Sequence, residues 1–492
     1  MTIASTLGQN ETQYATDDCL EEIINNTRAV RQDSEKNRFK LQVNNFLAEV
    51  ASGSLVINSD LIGSIEKRIA DIDKLMSEQL SLIMHATEFQ KIESAWTGLY
   101  KLVQSSVTEN VKYTVLHCTK KELLKDFKSA SDFDQSVLFK NIYESEYGTF
   151  GGTPYSAFVG DFYFDNTPQD IDLLEHISHV AASAHAPFLS AIAPGMLSMN
   201  SFSELPYPRD LAKLFETTDY ARWRSFRQTD DSRYVGLTLP QSLGRIPYGM
   251  KTVPAETFNF EEHISEDNSG KDYLWVNTAF ELACRIVDAF EEYGWCAAIR
   301  GVEGGGLVKS LPAYNYTSHT GERLLQCPTE VAISDRREKE LSDLGFIPLI
   351  YCKGTDFAAF FAVQSVNKPR QYNTDQANAN ARLSSQLQYI LATSRFAHYL
   401  KVIVRDKVGS FMSKIECQTY LQNWIMQYVV ASDSAGQDTK ARYPLREASV
   451  EVVEIPGSPG SYRAIAWIKP HFQLEGLSMS LRLVADLPSS VS

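Results

Sequence analysis

Three groups of residues in this 492-residue chain have types and spacing that chemistry could use. The first is Gly301-Val302-Glu303-Gly304-Gly305-Gly306, which follows an apolar run at 295–300 as a phosphate loop would. A Walker A loop needs Gly-Lys-Ser/Thr, and here Lys309-Ser310 is preceded by Val308. A dinucleotide loop needs a further glycine three residues after Gly306, where Lys309 stands, and Glu303 would repel phosphate. The run therefore reads as a loop that needs positive φ. The second group, His176, His179 and His185, has metal-ligand chemistry but no HExxH spacing, and its sequence neighbours are mostly alanine and serine. The third places Arg222, Arg224, Arg227 and Arg233 around Trp223 and Phe226, an arrangement that could stack on RNA. Asp219, Asp230 and Asp231 are interleaved with it, so an internal ion-pair network is the reading preferred. No Ser/His/Asp or Cys/His set stands out and GxSxG is absent, so the expectation is a chain with no catalytic residues, no cofactor and no metal.

Charge and cysteine content narrow the classes further. The formal charge is −14 with a pI near 5.2, and no basic segment stands apart, which argues against non-specific nucleic-acid binding. The seven cysteines (Cys19, Cys118, Cys284, Cys296, Cys327, Cys352 and Cys417) include no CxxC pair. An odd, scattered set fits a reducing compartment with thiols used as small core residues. The first residues hold neither a basic n-region nor a long apolar stretch, so no signal peptide is expected and the chain reads as cytoplasmic. Residues 176–203 lack Lys, Arg, Asp and Glu, but Pro187, Pro194, Gly195 and several serines make them a buried helix (about 170–184) followed by a Pro-broken loop, not a membrane span. Apolar residues at 43% and charged residues at 22% are ordinary for a folded protein, and the length suggests about three domains at roughly 150 residues each.

The N-terminal quarter is patterned as helices. At 17–30, Leu20, Ile23, Ile24 and Thr27 fall on one face. So narrow a stripe scarcely holds a helix to a core: it either packs on its own domain or docks as a short motif into a partner's groove. A second helix carries Phe39, Val43, Phe46, Leu47 and Val50. A third, from about residue 60 with Ser59 as N-cap, carries Ile65, Ile69, Ile72, Leu75, Met76, Leu80 and Ile83. A fourth opens at Thr87 with a capping-box pattern to Gln90 and carries Phe89, Ile92, Trp96, Leu99, Tyr100 and Val103. Both stripes read as core-facing. Yet they are wider than one hairpin can cover, which leaves part of them for another surface.

Strands are expected at 111–118, 156–164, 295–300 and 347–352, with helices at 120–127 and 280–293 among them. Toward the end come a long helix over 378–406, another over 420–430 and a polar loop at 432–440. Three strand patterns follow, the last being 477–483, where Leu477, Met479, Leu481 and Leu483 alternate with Ser478, Ser480 and Arg482. A strand of that kind either completes its own sheet or is donated to a neighbour. The fold class is therefore α/β, mixed α+β: N-terminal helices, a central α/β domain, and a C-terminal domain with terminal β-strands.

Several of these segments carry recognisable words. They include Glu88-Phe89-Gln90 through Trp96-Thr97-Gly98-Leu99, Tyr147-Gly148-Thr149-Phe150-Gly151-Gly152-Thr153-Pro154-Tyr155, and Ala184-His185-Ala186-Pro187-Phe188. Trp223-Arg224-Ser225-Phe226-Arg227, Ile299-Arg300-Gly301-Val302-Glu303-Gly304-Gly305-Gly306, Arg395-Phe396-Ala397-His398-Tyr399-Leu400-Lys401, Asp406-Lys407-Val408-Gly409-Ser410-Phe411 and Gln473-Leu474-Glu475-Gly476-Leu477 continue the series. Together, over about 81–487, the sequence resembles the large subunit of the type VI secretion contractile sheath, the TssC/VipB family.

The resemblance implies a structural, non-enzymatic machine part without cofactors. It implies pairing with a small sheath subunit, stacking with neighbouring sheath subunits around an inner tube protein upon a baseplate, contraction, and dismantling by a AAA+ unfoldase. It implies no nucleic-acid partner and no direct membrane insertion. On this reading residues 1–58 are an exposed arm and 59–110 a helical pair contacting the small subunit. Residues 111–365 form the central sheath domain, and 366–492 a tube-facing C-terminal domain. The resemblance points to Leu20, Ile23 and Ile24 as unfoldase-docking anchors and to Leu477, Met479, Leu481 and Leu483 as an inter-subunit strand. The wide stripes add Ile69, Ile72, Phe89 and Trp96 as small-subunit contacts. A sheath of a related injection device or phage tail, and an enzyme with an unrecognised site, stay open as alternatives.

Overall fold

The computed structural model describes residues 38, 40–45, 61–207, 209–265, 270–317, 321, 323–407, 413–432, 434–454 and 462–471. They divide into two compact units. One holds the residues up to Ser81 together with Tyr248–His263; the other holds Leu82–Pro247 and Ile264 onward. The elements that matter here are, in chain order, helix α1 (Leu61–Met84), α2 (Thr87–Ser105) and α3 (Lys120–Ser129), strand β1 (Phe158–Phe164), α4 (Pro168–Ala184), β2 (Phe188–Ile192), α5 (Ala221–Gln228) and β3 (Val235–Leu239). They continue with α6 (Thr278–Tyr293), β4 (Leu307–Val308), α7 (Asp335–Asp343), β5 (Ile347–Tyr351), β6 (Ala358–Phe360), α8 (Asp375–Ser384), α9 (Leu387–Asp406), α10 (Lys414–Met426), β7 (Leu445–Glu454) and β8 (Tyr462–Pro470).

In the larger unit a six-stranded sheet runs in the order β1-β2-β3-β5-β6-β4. The first four strands are parallel, and β6 is antiparallel to both of its neighbours. Parallel strands need covering on both faces, and their near-continuous apolar sequences reflect it. On β2, Phe188 and Ile192 point into one core beside α4 and α5, and Leu189 into a second core beside α6. The charge-free stretch 176–203 holds the second half of α4, which is capped by the Thr167 hydroxyl and ended by His185 in the left-handed region at φ 51, and then β2, a fully buried strand where a Pro-broken loop was expected. A third core joins α9, α10 and β7, with Trp295 stacked on Phe396 at 4.2 Å. The chain is thus mixed α/β, as its patterning indicated.

Several local expectations are corrected. Residues 295–300 form no strand, because Trp295 turns the chain into the third core against Phe396 and Tyr428. The predicted helix at 378–406 is two helices, since Ser385 and Leu387 bond to the 363–365 segment: Ser365 N–H donates to Ser385 O at 3.0 Å and Leu387 N–H to Val363 O at 3.1 Å. The helix at 420–430 begins earlier, at Lys414, where Ser413 and Glu416 make the capping box. The 432–440 loop contains the start of a short helix, Gln437–Arg442. At α2 the N-cap is Ala86, with no side-chain cap; Gln90 instead donates to Lys271 O at 3.1 Å, so the capping box read at Thr87 does not form. Residues 111–118 run without a bend and pair with no strand among the described residues.

Candidate functional site

The surface that departs most from ordinary packing lies on α2. This helix buries its small residues and leaves its large apolar ones bare. Ser94, Gly98 and Leu102, four apart, are the buried line that faces α6. Gly98 is needed there, because a β-carbon at that position would overlap the ring of Phe280. The Lys101 ammonium donates to the buried Glu281 carboxylate, and Arg245 pairs with Glu93 at 2.6 Å, so both flanks of the buried line are tied down. Phe89, Ile92, Trp96, Tyr100 and Val103 occupy the opposite face; Trp96 is 69% exposed and Ile92 60%. The stripe read from sequence as core-facing therefore faces outward, because the line of small side chains can approach α6 more closely than the large ones could.

In the smaller unit α1 shows the same inversion. Ser77 and Ser81 are buried, and their hydroxyls accept from the Glu261 and His263 amides at 3.3 and 3.1 Å. Ile65, Ile69, Ile72, Leu75 and Met76 are exposed. Among the described residues, each unit thus presents a bare apolar helix face, which isolated soluble surfaces rarely do unless another surface covers it.

The residues with chemical potential elsewhere are committed locally. Gly301 and Gly305 adopt φ 73 and 88. The Gly301 amide donates to Phe360 O at 2.7 Å and the Phe360 amide to Gly306 O at 2.9 Å, so the glycine loop is stitched to β6. His176 stacks on Phe127 and its pKa is lowered by burial; His179 lies 2.7 Å from Asp231; His185 meets the Tyr234 hydroxyl at 3.2 Å. Among the described residues no group of three His, Cys, Asp or Glu is placed to hold a metal ion. Trp223 is fully buried against Phe346, so it offers no face to a base. Arg222 pairs with Asp172 at 2.9 Å and Arg233 with Asp230 at 3.3 Å, whereas Arg224 and Arg227 donate to backbone carbonyls. Of these four arginines only Arg233 pairs with one of the interleaved aspartates, and Arg222 turns to Asp172 on α4, so the expected internal network is largely replaced by bonds to carbonyls. A cleft of 710 Å³ beside α7 is spanned by Arg337, whose guanidinium already donates to the carbonyls of Leu205, Tyr207 and Arg209. Burial drives the Cys284 thiol up to about 12, an inert core residue.

Of the predicted site residues, Ile69 and Ile72 share the exposed face of α1, and Phe89 and Trp96 that of α2. Leu20, Ile23, Ile24, Leu477, Met479, Leu481 and Leu483 lie outside the described residues. Sequence reasoning missed one further exposed apolar pair, Ile465 and Trp467 on β8. Its partner strand β7 packs on α10, while Trp467, 53% exposed, points away. The period-two alternation at 462–469 was the signal available for it.

Residues 66–367 match the family described as EvpB/VC_A0108, tail sheath N-terminal domain, and residues 376–487 match its tail sheath gpW/gp25-like domain. The type VI secretion system sheath protein TssC1 of Pseudomonas aeruginosa (strain PAO1) is 50% identical over 440 residues, covering 88% of each chain. Among solved structures, the anti-feeding prophage baseplate aligns with a TM-score of 0.36 at 9% identity, over 76% of this chain and 84% of the other. The contracted anti-feeding prophage helical sheath aligns with a TM-score of 0.32 at 10% identity, over 76% and 99%. Among the described residues, no helix is long and apolar enough to cross a membrane. Two family matches that together run through most of the sequence, and a half-identical relative along nearly all of it, establish that the chain belongs to the type VI secretion contractile sheath family.

Proposed function

We propose that the chain is the large structural subunit of a type VI secretion sheath. It assembles with a smaller sheath chain and with its own neighbours around an inner tube, and contraction of the lattice drives that tube outward. It acts as a mechanical element, not an enzyme. The observation that carries the pairing is the outward-facing stripe of α2. Covering one large apolar side chain is worth about 1.5–3 kcal/mol gross, so a stripe from Phe89 to Val103 supplies ample drive for a stable heterodimer. The α1 stripe with Ile69 and Ile72 supports the same use.

Expressed alone, the chain is expected to be largely insoluble; co-expressed with the smaller chain, it is soluble. Trp96→Asp, which puts a charge in the middle of the stripe, abolishes co-purification of the two. A soluble, monodisperse monomer, or an undiminished complex from Trp96→Asp, overturns the assignment.

Two further roles belong to this reading. Residues 17–30, with Leu20, Ile23 and Ile24, serve as the docking helix for an unfoldase; Ile24→Asp then leaves assembly intact and blocks recycling of contracted sheaths. The run 477–483 pairs with extended arms of neighbouring subunits; Leu481→Pro then preserves the heterodimer and shortens the sheaths seen in electron micrographs.

A further inference from the structure

Helix α9 carries a buried histidine with one ring nitrogen engaged and the other bare. His398 is 3% exposed, and its Nε2 lies 2.9 Å from Ala184 O at the end of α4. A carbonyl oxygen only accepts, so Nε2 carries the hydrogen and Nδ1 is the open acceptor of a neutral ring. That Nδ1 is buried and has no hydrogen-bond partner among the described residues. Helix α4 lies within the tail sheath N-terminal match and α9 within the gpW/gp25-like match, so this one bond ties the two family regions together.

The groups around the ring are aromatic or cationic. Tyr147, the last residue of the π-helical segment Lys140–Tyr147, packs its ring 5.4 Å from His398 and 5.9 Å from His185. His185 lies 6.3 Å from His398, ring to ring, and meets the Tyr234 hydroxyl. On α9 itself the Lys401 ammonium sits 3.4 Å over the Tyr147 ring and 5.1 Å over that of Tyr143, Arg395 lies over Tyr399, and Arg405 donates to Thr149 O. Arg395 and Lys401 are the charged groups that act most strongly on His398, and both are cations. The neighbouring carboxylates are engaged elsewhere: Asp231, beside Tyr234, is held by His179 at 2.7 Å, Asp230 by Arg233, and Glu146 by the Thr153 amide. Lys140 and Glu144 are exposed.

We propose that the His398–Ala184 contact is an acid-released latch between the two family regions: neutral His398 holds α9 on α4, and a proton at Nδ1 frees it. That proton places a third positive charge beside Arg395 and Lys401, in a buried site, and a buried charge without a counter-charge favours any opening that returns it to water. Tyr234 and Ser394 bring hydroxyls there, not charge. Burial, followed by Arg395, His185 and Lys401, holds His398 at about 4, below its usual 6.5 and against the upward pull of the Ala184 bond; burial lowers His185 as well. A histidine kept neutral by the fold contributes stability that is fully present above 6.5 and is lost as pH falls from there toward about 4. Tyr147 touches both rings and lies under Lys401, so opening the latch loosens the end of Lys140–Tyr147 too.

The test uses the full chain as it purifies, together with a smaller chain where one accompanies it, so its outcome does not depend on that pairing. Hydrogen exchange is followed from about pH 7 to about pH 5 and corrected for the intrinsic pH dependence of amide exchange. Amides at 394–402 on α9 are expected to lose protection roughly tenfold or more, while those at 282–289 on α6 keep theirs. His398→Gln retains an N–H for Ala184 O and takes up no proton, so its α9 protection is expected to stay flat over the same range. Lys401→Gln, at a half-buried position, removes one of the two cations and is expected to shrink the loss roughly twofold or more. Equal losses on α9 and α6, or no loss on α9, overturn the latch. So does an acid response that survives His398→Gln; should that variant fail to fold, an undiminished loss in Lys401→Gln overturns it instead.

Discussion

Helices α2 and α6 lie against each other, and both are amphipathic by sequence, yet they use their apolar faces in opposite ways. Helix α6 buries Phe280, Leu282, Ala283, Ile286, Val287 and Ala289 inside its own unit. Helix α2 turns Ser94, Gly98 and Leu102 toward α6 and leaves Phe89, Ile92, Trp96, Tyr100 and Val103 in the open. An apolar stripe therefore says that a face is to be covered; it does not say by which chain. What separates the two helices is the size of the opposing line. Gly98 and Ser94 let α2 approach until its backbone nearly touches the Phe280 ring, and that contact, not the hydrophobic stripe, fixes its rotation.

The comparison can be broken from either side. The largest effect on stability is expected at Leu282, which is fully buried: Leu282→Ala costs about 3 kcal/mol through lost contacts and the cavity left behind, read as a drop in the unfolding midpoint of the co-expressed complex. Next is Gly98→Ala, whose new methyl group collides with Phe280; helix propensity returns part of the loss, for a net cost of about 1–2 kcal/mol in the same assay. A gain in stability from that variant would show that the α2–α6 approach is not limited by this glycine.

A third effect is visible only in acid. Backbone amides of Thr108 and Val107 hold the Glu291 carboxylate at about 2, below its usual 4.5. A depressed carboxylate contributes stability that is fully present above its unfolded value, and that contribution is lost as pH falls from about 4.5 toward 2. Glu291→Gln should remove that part of the pH dependence; parallel curves for the two proteins between pH 5 and 2 would show that the clamp contributes nothing. The smallest stability change is expected at Trp96, where Asp changes the unfolding free energy of the chain, measured in denaturant on the small fraction kept in solution at high dilution, by no more than about 0.5 kcal/mol. A large destabilisation there would mean that α2 does lean on its own chain through the stripe.

Much of the fold was legible without coordinates. Helix α4, helix α6 and strands β1 and β5 fall where apolar runs and caps placed them, because each pattern is satisfied within its own stretch of chain. Two of the misreadings come from long-range contact. Trp295 abandons its strand for Phe396, and Ser385 breaks a helix by exchanging its bonds with residues some twenty positions earlier. At Thr87 the pattern for a capping box was present, but the helix starts from Ala86 and Gln90 is drawn to Lys271.

For the candidate site, the sequence by itself determined that α1 and α2 carry more apolar surface than a hairpin can bury, and its words alone carried the family resemblance. Both follow from residue type and order. Only the tertiary structure decided that Ile69, Ile72, Phe89 and Trp96 face outward, since that depends on which side of each helix can approach closest to its neighbour. It alone decided, too, that 111–118, strand-like in sequence, pairs with no strand among the described residues. Strand character is written in side chains, but pairing requires a second backbone at hydrogen-bonding distance, and no residue in the segment encodes whether its own fold supplies one.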